Sequence, residues 1–444
     1  MTRLKLYLIK IILSNPSFSV RLKKLFGNAA LPLIGRMEIW ATETVQKLPR
    51  KKIQLLQLRR LKSIFDFAAN NIPYWQNLEK SQKIRINDLS DIKKIPILTR
   101  SNINSHSSAF LANSTGQASA YCLSTSGSTN IPMRFYIDRN LLYRRAFAMR
   151  YALKVFGHNP FARILRLNYN DMPWCTYQGR YFDLSIEQKD PEGLYEKIEE
   201  YKLEIFYGTA SHLLWLAELI KSKPFNHTIK CAVSRSEYLS SENREYLESV
   251  FGCKVFNIYA SREFGPLAQE CLLRDGFHLN EDKFLFEVVD INGNDVKDKA
   301  TGRILITSFD NKVMPFIRYE IGDLGHFVPE PCDCGLKTKK IIFEGRSCDF
   351  IYLPSGEKLP LALFLYTVNI PSEIKAYQFF QKTSSGLTVR IVAGPNYKNE
   401  TRLKILEEIQ KVAGNDFDVD IQSLDKIELL SNGKSKILIS EIKI

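Results

Sequence analysis

The feature that most constrains this 444-residue chain is a regular alternation of strand-like and helical runs through its middle. Residues 204–207 read as a strand, 211–221 as a helix, 230–234 as a strand, 241–251 as a helix and 254–259 as a strand. Short strands separated by helices of about 10–15 residues lie side by side in one sheet, with the helices as crossovers on its faces. The expected body is therefore α/β with mostly parallel pairing. Upstream, residues 53–70 read as a helix that closes before Ile72-Pro73-Tyr74-Trp75. Residues 120–124 and 133–137 read as short strands around the polar turn 125–130. Asp138 is placed to cap a helix running through Tyr151, because its carboxylate can accept the unpaired amides of the first turn.

From Leu285 the pattern becomes β-rich, with strand-like runs at 286–289, 302–307 and 325–328. The last hundred or so residues hold shorter units: strands at 350–353, 376–382, 387–392 and 437–439, and a helix at 400–412. They read as a separate small α+β domain. The length accommodates two or three domains. The expected division is a basic extension over 1–52, a large domain over 53–345 with a β-rich subdomain, and a small mobile domain over 346–444.

Charge narrows the function classes. The first 100 residues carry 20 Lys/Arg and 6 Asp/Glu, whereas the other 344 carry 42 of each. A basicity confined to one end counts against nucleic-acid binding by the main body. It fits a basic amphipathic helix against an anionic membrane surface, or a solvated helix packed on the domain. The apolar start at 4–13 is interrupted by Lys5 and Lys10 and is too short to span a bilayer. The eight cysteines are sparse for a disulfide framework, so the expected setting is reducing and cytoplasmic, with peripheral contact to a membrane open to the basic end.

Five constellations carry chemistry. Thr125-Ser126-Gly127-Ser128-Thr129-Asn130-Ile131-Pro132 offers amides and hydroxyls to one anion, as polyphosphate requires, although surface turns share this composition. Tyr259-Ala260-Ser261-Arg262-Glu263-Phe264-Gly265 follows a predicted strand, where open α/β sheets place ligand groups. There Glu263 suits Mg²⁺, or else an exposed ion pair with Arg262. Asp323, in Arg318-Tyr319-Glu320-Ile321-Gly322-Asp323, suits a ribose diol, and Arg346 suits phosphate or ribose. Cys271, His278, Cys332 and Cys334 satisfy tetrahedral zinc with no open position, a structural site, or else are ordinary buried thiols. Lys434, on the Asn432-Gly433-Lys434 turn, gains meaning only if the small domain closes over the phosphate site.

In this order the motifs resemble the adenylate-forming superfamily of acyl-CoA synthetases. The nearer likeness is to the phenylacetate-CoA ligase group with its CapK-type capsule-biosynthesis proteins. Ile72-Pro73-Tyr74, Ile95-Pro96-Ile97-Leu98-Thr99, Gly276-Phe277-His278, Glu287-Val288-Val289-Asp290 and Cys332-Asp333-Cys334-Gly335 add to the match, which runs from about residue 55 to the end.

The resemblance implies that a carboxylate attacks the α-phosphorus of Mg·ATP, giving an acyl-adenylate and pyrophosphate, and that CoA or an amine then displaces AMP. It implies that Thr125, Ser126, Gly127, Ser128 and Thr129 cradle the β- and γ-phosphates. Ser236, Glu237, Tyr259, Ala260 and Ser261 would border the nucleotide, and Glu263 would hold Mg²⁺. Asp323 would hold the ribose, Arg346 would support the nucleotide, and Lys434 would approach the reacting groups. The acyl pocket would draw on Tyr169, Trp174, Tyr177, Tyr207, Gly208 and His212. Four positions depart from the family pattern: Asn130 replaces a Gly, Met133 a frequent Lys, Arg262 a Thr, and Cys348 a hinge Asp or Lys. These departures leave room for the alternative of a non-catalytic, nucleotide-binding partner in a membrane-associated assembly. A homodimer is compatible with either.

Overall fold

The computed structural model of the chain describes residues 31–112, 120–125, 133–167, 181–184, 191–221, 223, 225–297, 299–346, 350–361, 364, 368, 370–371, 373–427 and 437–442. The basic start at 4–13 lies outside them. The described residues fall into two compact units. The first holds those up to Lys299 with Ile304–Ile321 and Phe327–Ile342; the second holds Ala300–Arg303, Gly322–His326 and those from Phe343 onward.

The first unit opens with helices α1 (Leu31–Gln46), α2 (Arg50–Asn71), α3 (Pro73–Gln82) and α4 (Arg100–Ser105). Ile72 breaks α2 from α3 in extended geometry (φ −128°, ψ 120°), as a residue before proline prefers, and Pro73 then starts the next helix. Buried residues of α2 recur at helical spacing, from Ile53 through Gln57, Arg60, Leu61, Ile64 and Phe65 to Ala68. Thr99 caps α4 in a reciprocal box: Asn102 N donates to its Oγ1 at 3.2 Å, and its own N donates to Asn102 Oδ1 at 2.9 Å.

Helix α1 lies inside the stretch expected as a basic extension, yet it is fastened to the unit. Thr42 Oγ1 donates to Asp282 Oδ2 at 3.0 Å, Gln46 Nε2 donates to Asn280 Oδ1 at 2.8 Å, and Lys337 N donates to Gln46 O at 2.7 Å.

Strands β1 (Tyr121–Ser124) and β2 (Arg134–Ile137) form an antiparallel hairpin, and α5 (Arg139–Val155) follows directly. Asp138 caps α5 as expected, accepting from Leu141 N at 2.7 Å. The alternating region then supplies β3 (Ile164–Leu167), β4 (Tyr181–Leu184), α6 (Pro191–Glu200), β5 (Ile205–Gly208), α7 (Ala210–Ile220), β6 (Cys231–Arg235), α8 (Ser241–Phe251) and β7 (Lys254–Ser261). Six further strands follow: β8 (Gly265–Gln269), β9 (Phe277–Leu279), β10 (Phe284–Val289), β11 (Gly302–Ser308), β12 (Tyr319–Val328) and β13 (Lys340–Arg346).

Among the described residues these strands form one eleven-stranded sheet in the order β10-β11-β12-β13-β9-β8-β7-β6-β5-β3-β4. Pairing is parallel from β4 to β7, as the alternation predicts, and antiparallel between β7, β8, β9 and β13. The sheet is thus mixed, because the later strands return by short turns that leave no length for a crossover helix.

Strand periodicity divides the core into two layers. Ile164, Ile205, Tyr207, Cys231, Val233, Phe256 and Ile258 pack against Phe147, Met149, Ala152 and Leu153 of α5. Their neighbours Leu165, Leu167, Phe206, Ala232 and Val255 face the other way, onto Leu213, Leu216, Ala217 and Ile220 of α7 and Leu247 and Phe251 of α8. Burying each such large side chain contributes roughly 1.5–3 kcal/mol, and the double burial fixes the carboxyl ends of β5, β6 and β7 as one rigid edge.

In the second unit, β14 (Phe350–Tyr352) pairs with β15 (Lys358–Pro360). Strands β16 (Ile374–Gln381), β17 (Gly386–Ala393), β18 (Asp418–Ser423) and β19 (Leu438–Ser440) form a sheet ordered β18-β17-β16-β19. Helix α9 (Asn399–Ala413) covers it, with Ile405 and Ile409 against Phe379, Val389 and Ile391. This is the small α+β domain that the sequence predicts. Asp323 groups with this unit, not with the large one. Among the described residues no helix is long and apolar enough to cross a membrane.

Candidate functional site

The carboxyl edge of β5, β6 and β7 carries the first group of expected residues. Strand register sets Gly208 beside Ser234 and Arg235 beside Ile258. Tyr207 is buried, and the Arg235 guanidinium carbon stands 5.2 Å from its ring centroid, a cation–π contact. Gly208 is required for close approach, since a Cβ there would meet Leu167 Cβ and His212 Cβ, each at 3.3 Å. Thr209 caps α7 by accepting from His212 N at 3.4 Å, which sets the buried His212 in the first helical turn. Ser236 adopts left-handed geometry (φ 60°), costly for a residue with a Cβ. The chain then turns so that Glu237 Oε2 accepts from Ser211 N at 2.9 Å and from Ser211 Oγ at 2.6 Å. The Ser236-Glu237 loop is therefore fastened to the start of α7.

The turn after β7 carries Glu263. The β7–β8 register slips between Tyr259 and Ala260, and Gly265 takes φ 73°, so the two strands are joined by a tight reversal. Ser261 Oγ accepts from Phe264 N at 3.2 Å inside the turn. Glu263 is only 5% exposed, and its Oε1 lies 3.7 Å from the Arg100 guanidinium. The exposed Glu263–Arg262 pair allowed by the sequence is thus not what forms. Arg262 instead donates through Nε to Ser124 O at 3.1 Å, reaching the end of β1. Arg145 of α5 donates Nη1 to Arg262 O at 3.0 Å and Nη2 to Glu263 O. Burial, and then the negative charge of Glu263, push the Tyr319 hydroxyl well above its ordinary range, with Arg100 opposing.

Hairpin β1–β2 closes on Thr125. Its N donates to Met133 O at 3.0 Å, and its Oγ1 accepts from Met133 N at 2.9 Å. Ser126, Gly127, Ser128 and Thr129 lie outside the described residues, as do Tyr169, Trp174, Tyr177, Cys348 and Lys434. In the second unit, Asp323 is a buried residue of β12 and Arg346 ends β13.

Cys271, His278, Cys332 and Cys334 converge, their ligand atoms all within 4.8 Å of one another. Cys271 Sγ and Cys332 Sγ are 3.7 Å apart, and Cys334 Sγ is 3.3 Å from His278 Nε2. A tetrahedron with Zn–S bonds of about 2.3 Å has sulfur–sulfur edges of about 3.8 Å. The donor set and spacing therefore fit zinc. His278 Nδ1 lies 3.3 Å from Thr338 Oγ1, an outer contact that orients the ring. Burial pushes the Cys332 thiol up to about 12, and burial with the nearby Lys340 cation lowers His278 to about 4. A dication bound there would deprotonate the thiols and hold the imidazole neutral.

Arg100, Arg145, Ser211, Arg235 and Tyr319 are the site neighbours that sequence reading passed over. Arg100 directly follows the Ile95–Thr99 motif, which could have signalled it. Arg145 sits in an unremarkable Arg-Arg pair of a helix and left no signal.

A family described as the CapK C-terminal domain matches residues 357–441. Phenylacetate-coenzyme A ligase of Thermus thermophilus is 24% identical over 75% of this chain and 79% of its own. Protein CapK of Staphylococcus aureus is 23% identical over 87% of this chain and 89% of its own. Among solved structures, 2-hydroxyisobutyryl-CoA ligase in complex with an acyl-AMP matches with a TM-score of 0.77 at 16% identity, over 89% of this chain and 91% of its own. The chain thus carries a segment matching the CapK C-terminal domain and is similar over most of its length to phenylacetate-CoA ligases and Protein CapK, with the fold of adenylate-forming CoA ligases.

Proposed function

We propose that the protein is an ATP-dependent ligase that activates a carboxylic acid as its acyl-adenylate and passes the acyl group to CoA or an amine. The observation that carries this reading is the Arg262–Ser124 hydrogen bond. It ties the Glu263 turn to the base of the hydroxyl-rich loop that starts at Thr125. The bond holds Ser124, at the end of β1, to the turn that carries Glu263, which supports reading the two segments as parts of one site at the sheet edge where open α/β folds bind ligands. The phenylacetate-CoA ligase relatives favour CoA as the acceptor.

In this reading Thr125–Thr129 hold the β- and γ-phosphates. Ser236, Glu237, Tyr259, Ala260 and Ser261 border the nucleotide, while Asp323 and Arg346 serve the ribose and phosphate. Tyr169, Tyr207, Gly208 and His212 bound the acyl side, and Lys434 approaches the carboxylate. Glu263 is a buried carboxylate, and hard oxygen donors of this kind suit magnesium. Magnesium, when bound, neutralises phosphate charge. The protein's share is alignment and charge stabilisation, because the substrate carboxylate is already a competent nucleophile. Its oxygen attacks the α-phosphorus, the bond to the bridging oxygen breaks, and pyrophosphate leaves with the electron pair. The acceptor thiolate or amine then displaces AMP.

Zinc at Cys271, His278, Cys332 and Cys334 belongs to the same proposal. With four protein ligands it is structural and takes no part in the reaction. The reading also places the reaction in surface-polysaccharide or secondary metabolism, with the resemblance to the CapK group as its support.

The test is pyrophosphate release by the full chain over a panel of carboxylic acids, with ATP and Mg²⁺. Release that needs one acid, and is lost in Glu263→Ala and Lys434→Ala, supports the ligase. No release, together with retained AMP binding by calorimetry, would favour the non-catalytic alternative.

A further inference from the structure

Arginines 144 and 145 are adjacent on α5 and both are buried, yet they serve different neighbours. Arg144 pairs with Glu38 at 3.3 Å and with Asp310 at 2.6 Å, anchoring the helix among carboxylates. Arg145 meets main-chain oxygens, with Nη1 on Arg262 O at 3.0 Å and Nη2 on Glu263 O. The two carbonyls belong to successive residues, so the contact grips the main chain of one turn. The turn it meets contains the Glu263 carboxylate.

We propose that Arg145 is the positioning residue for Glu263. Its planar fork holds two successive carbonyls and so fixes the orientation of the peptides on either side of the Glu263 Cα. The close packing of Gly265 points the same way. A Cβ built there would lie 2.8 Å from Arg145 Cγ and 2.9 Å from its Cδ, so the turn and the arginine stem are fitted to each other. The far end of the device is Arg262, whose carbonyl Arg145 holds and whose Nε reaches Ser124 O at 3.1 Å. One buried arginine thus sets both the carboxylate and the tie to the phosphate hairpin. Lysine, whose donors all sit on one rotatable nitrogen, would hold the two carbonyls less rigidly than the planar fork. The proposal rests on reading Glu263 as the metal- and phosphate-facing carboxylate.

The experiment compares the full-length wild type with Arg145→Gln, Arg145→Lys and Gly265→Ala. Two readouts are taken: amide hydrogen exchange of the 259–267 peptide, and the Mg²⁺ dependence of acid-driven pyrophosphate release. The expected result is faster exchange confined to that peptide. With it, the Mg²⁺ midpoint rises about tenfold and kcat falls roughly 10–100-fold, with KM for the acid unchanged. Arg145→Lys is expected between wild type and Arg145→Gln. Wild-type exchange in that peptide and an unchanged Mg²⁺ midpoint in all three variants would overturn the proposal. Were the wild type to release no pyrophosphate with any acid, the ligase reading would fail, and the exchange comparison alone would still decide whether Arg145 holds the turn. Arg145→Lys keeps the charge and most of the stem and removes only the planar fork, so it decides the matter if Arg145→Gln does not fold.

Discussion

Arg262 and Ser124 are 138 positions apart in sequence and are joined by a hydrogen bond of 3.1 Å from Nε to the carbonyl oxygen. The long arginine side chain makes this reach, which a side chain as short as threonine could not. The bond makes the hairpin β1–β2 and the turn after β7 one mechanical piece.

Replacing Glu263 by glutamine keeps the shape and removes the charge. Acid-dependent pyrophosphate release is expected to fall by roughly 100–1,000-fold, since a buried charged group aimed at a reacting centre is worth that much. Circular dichroism at room temperature is expected to match the wild type. Release within threefold of wild type would rule out Glu263 as the metal-facing group.

Thr125→Val removes the acceptor that Met133 N uses at 2.9 Å, and Met133 is fully buried. An orphaned buried amide costs about 1–3 kcal/mol. Urea unfolding is expected to show a loss in that range, with Thr125→Ser retaining most of the stability. Equal midpoints for valine and serine would show that the hydroxyl does not close the hairpin.

Metal analysis of the purified full chain is expected to find one zinc. Cys332→Ser or Cys334→Ser is expected to lower both zinc content and thermal midpoint, because binding to the folded state alone adds stability. A wild type free of zinc, with a midpoint unmoved by chelator, would leave the four residues as buried thiols and an imidazole.

Asp91 accepts hydrogen bonds from Asn87 N at 2.6 Å and Asp88 N at 3.0 Å and pairs with Lys94, which together hold its carboxyl down at about 2. A carboxylate whose folded value lies below its unfolded value near 4 stabilises the fold above the unfolded value. That contribution disappears as pH falls toward 2. Asp91→Asn is therefore expected to be less stable than wild type at pH 7, with the gap narrowing between pH 4 and pH 3 in urea titrations. A gap that widens on acidification would reverse the assignment.

The sequence was most legible where one force decides the outcome. The alternation from residue 204 to residue 261 fixed five elements, because each helix and strand there buries a single periodic face. Asp138 was readable as a cap because the reason is local. That Cys271, His278, Cys332 and Cys334 come together was readable because few residue types serve as zinc ligands, although residues 271 and 332 lie 61 positions apart. Helix α1 was not readable, because Thr42 and Gln46 are held by polar partners more than 200 positions away. Burial of Glu263 beside Arg100 and the hold of Arg145 on its turn also depend on three-dimensional packing that no local pattern records. The mixed character of the large sheet escaped for a related reason: strand direction beyond β7 follows turn length, not residue type.

The most direct measurement is acid-dependent exchange of labelled pyrophosphate into ATP by the full-length protein with Mg²⁺, in the absence of any acceptor. Label is expected in ATP with at least one carboxylic acid and none without acid, because adenylate formation is reversible and precedes acyl transfer. Label that never enters ATP across a broad panel, from a folded protein shown to bind ATP, would contradict the ligase reading.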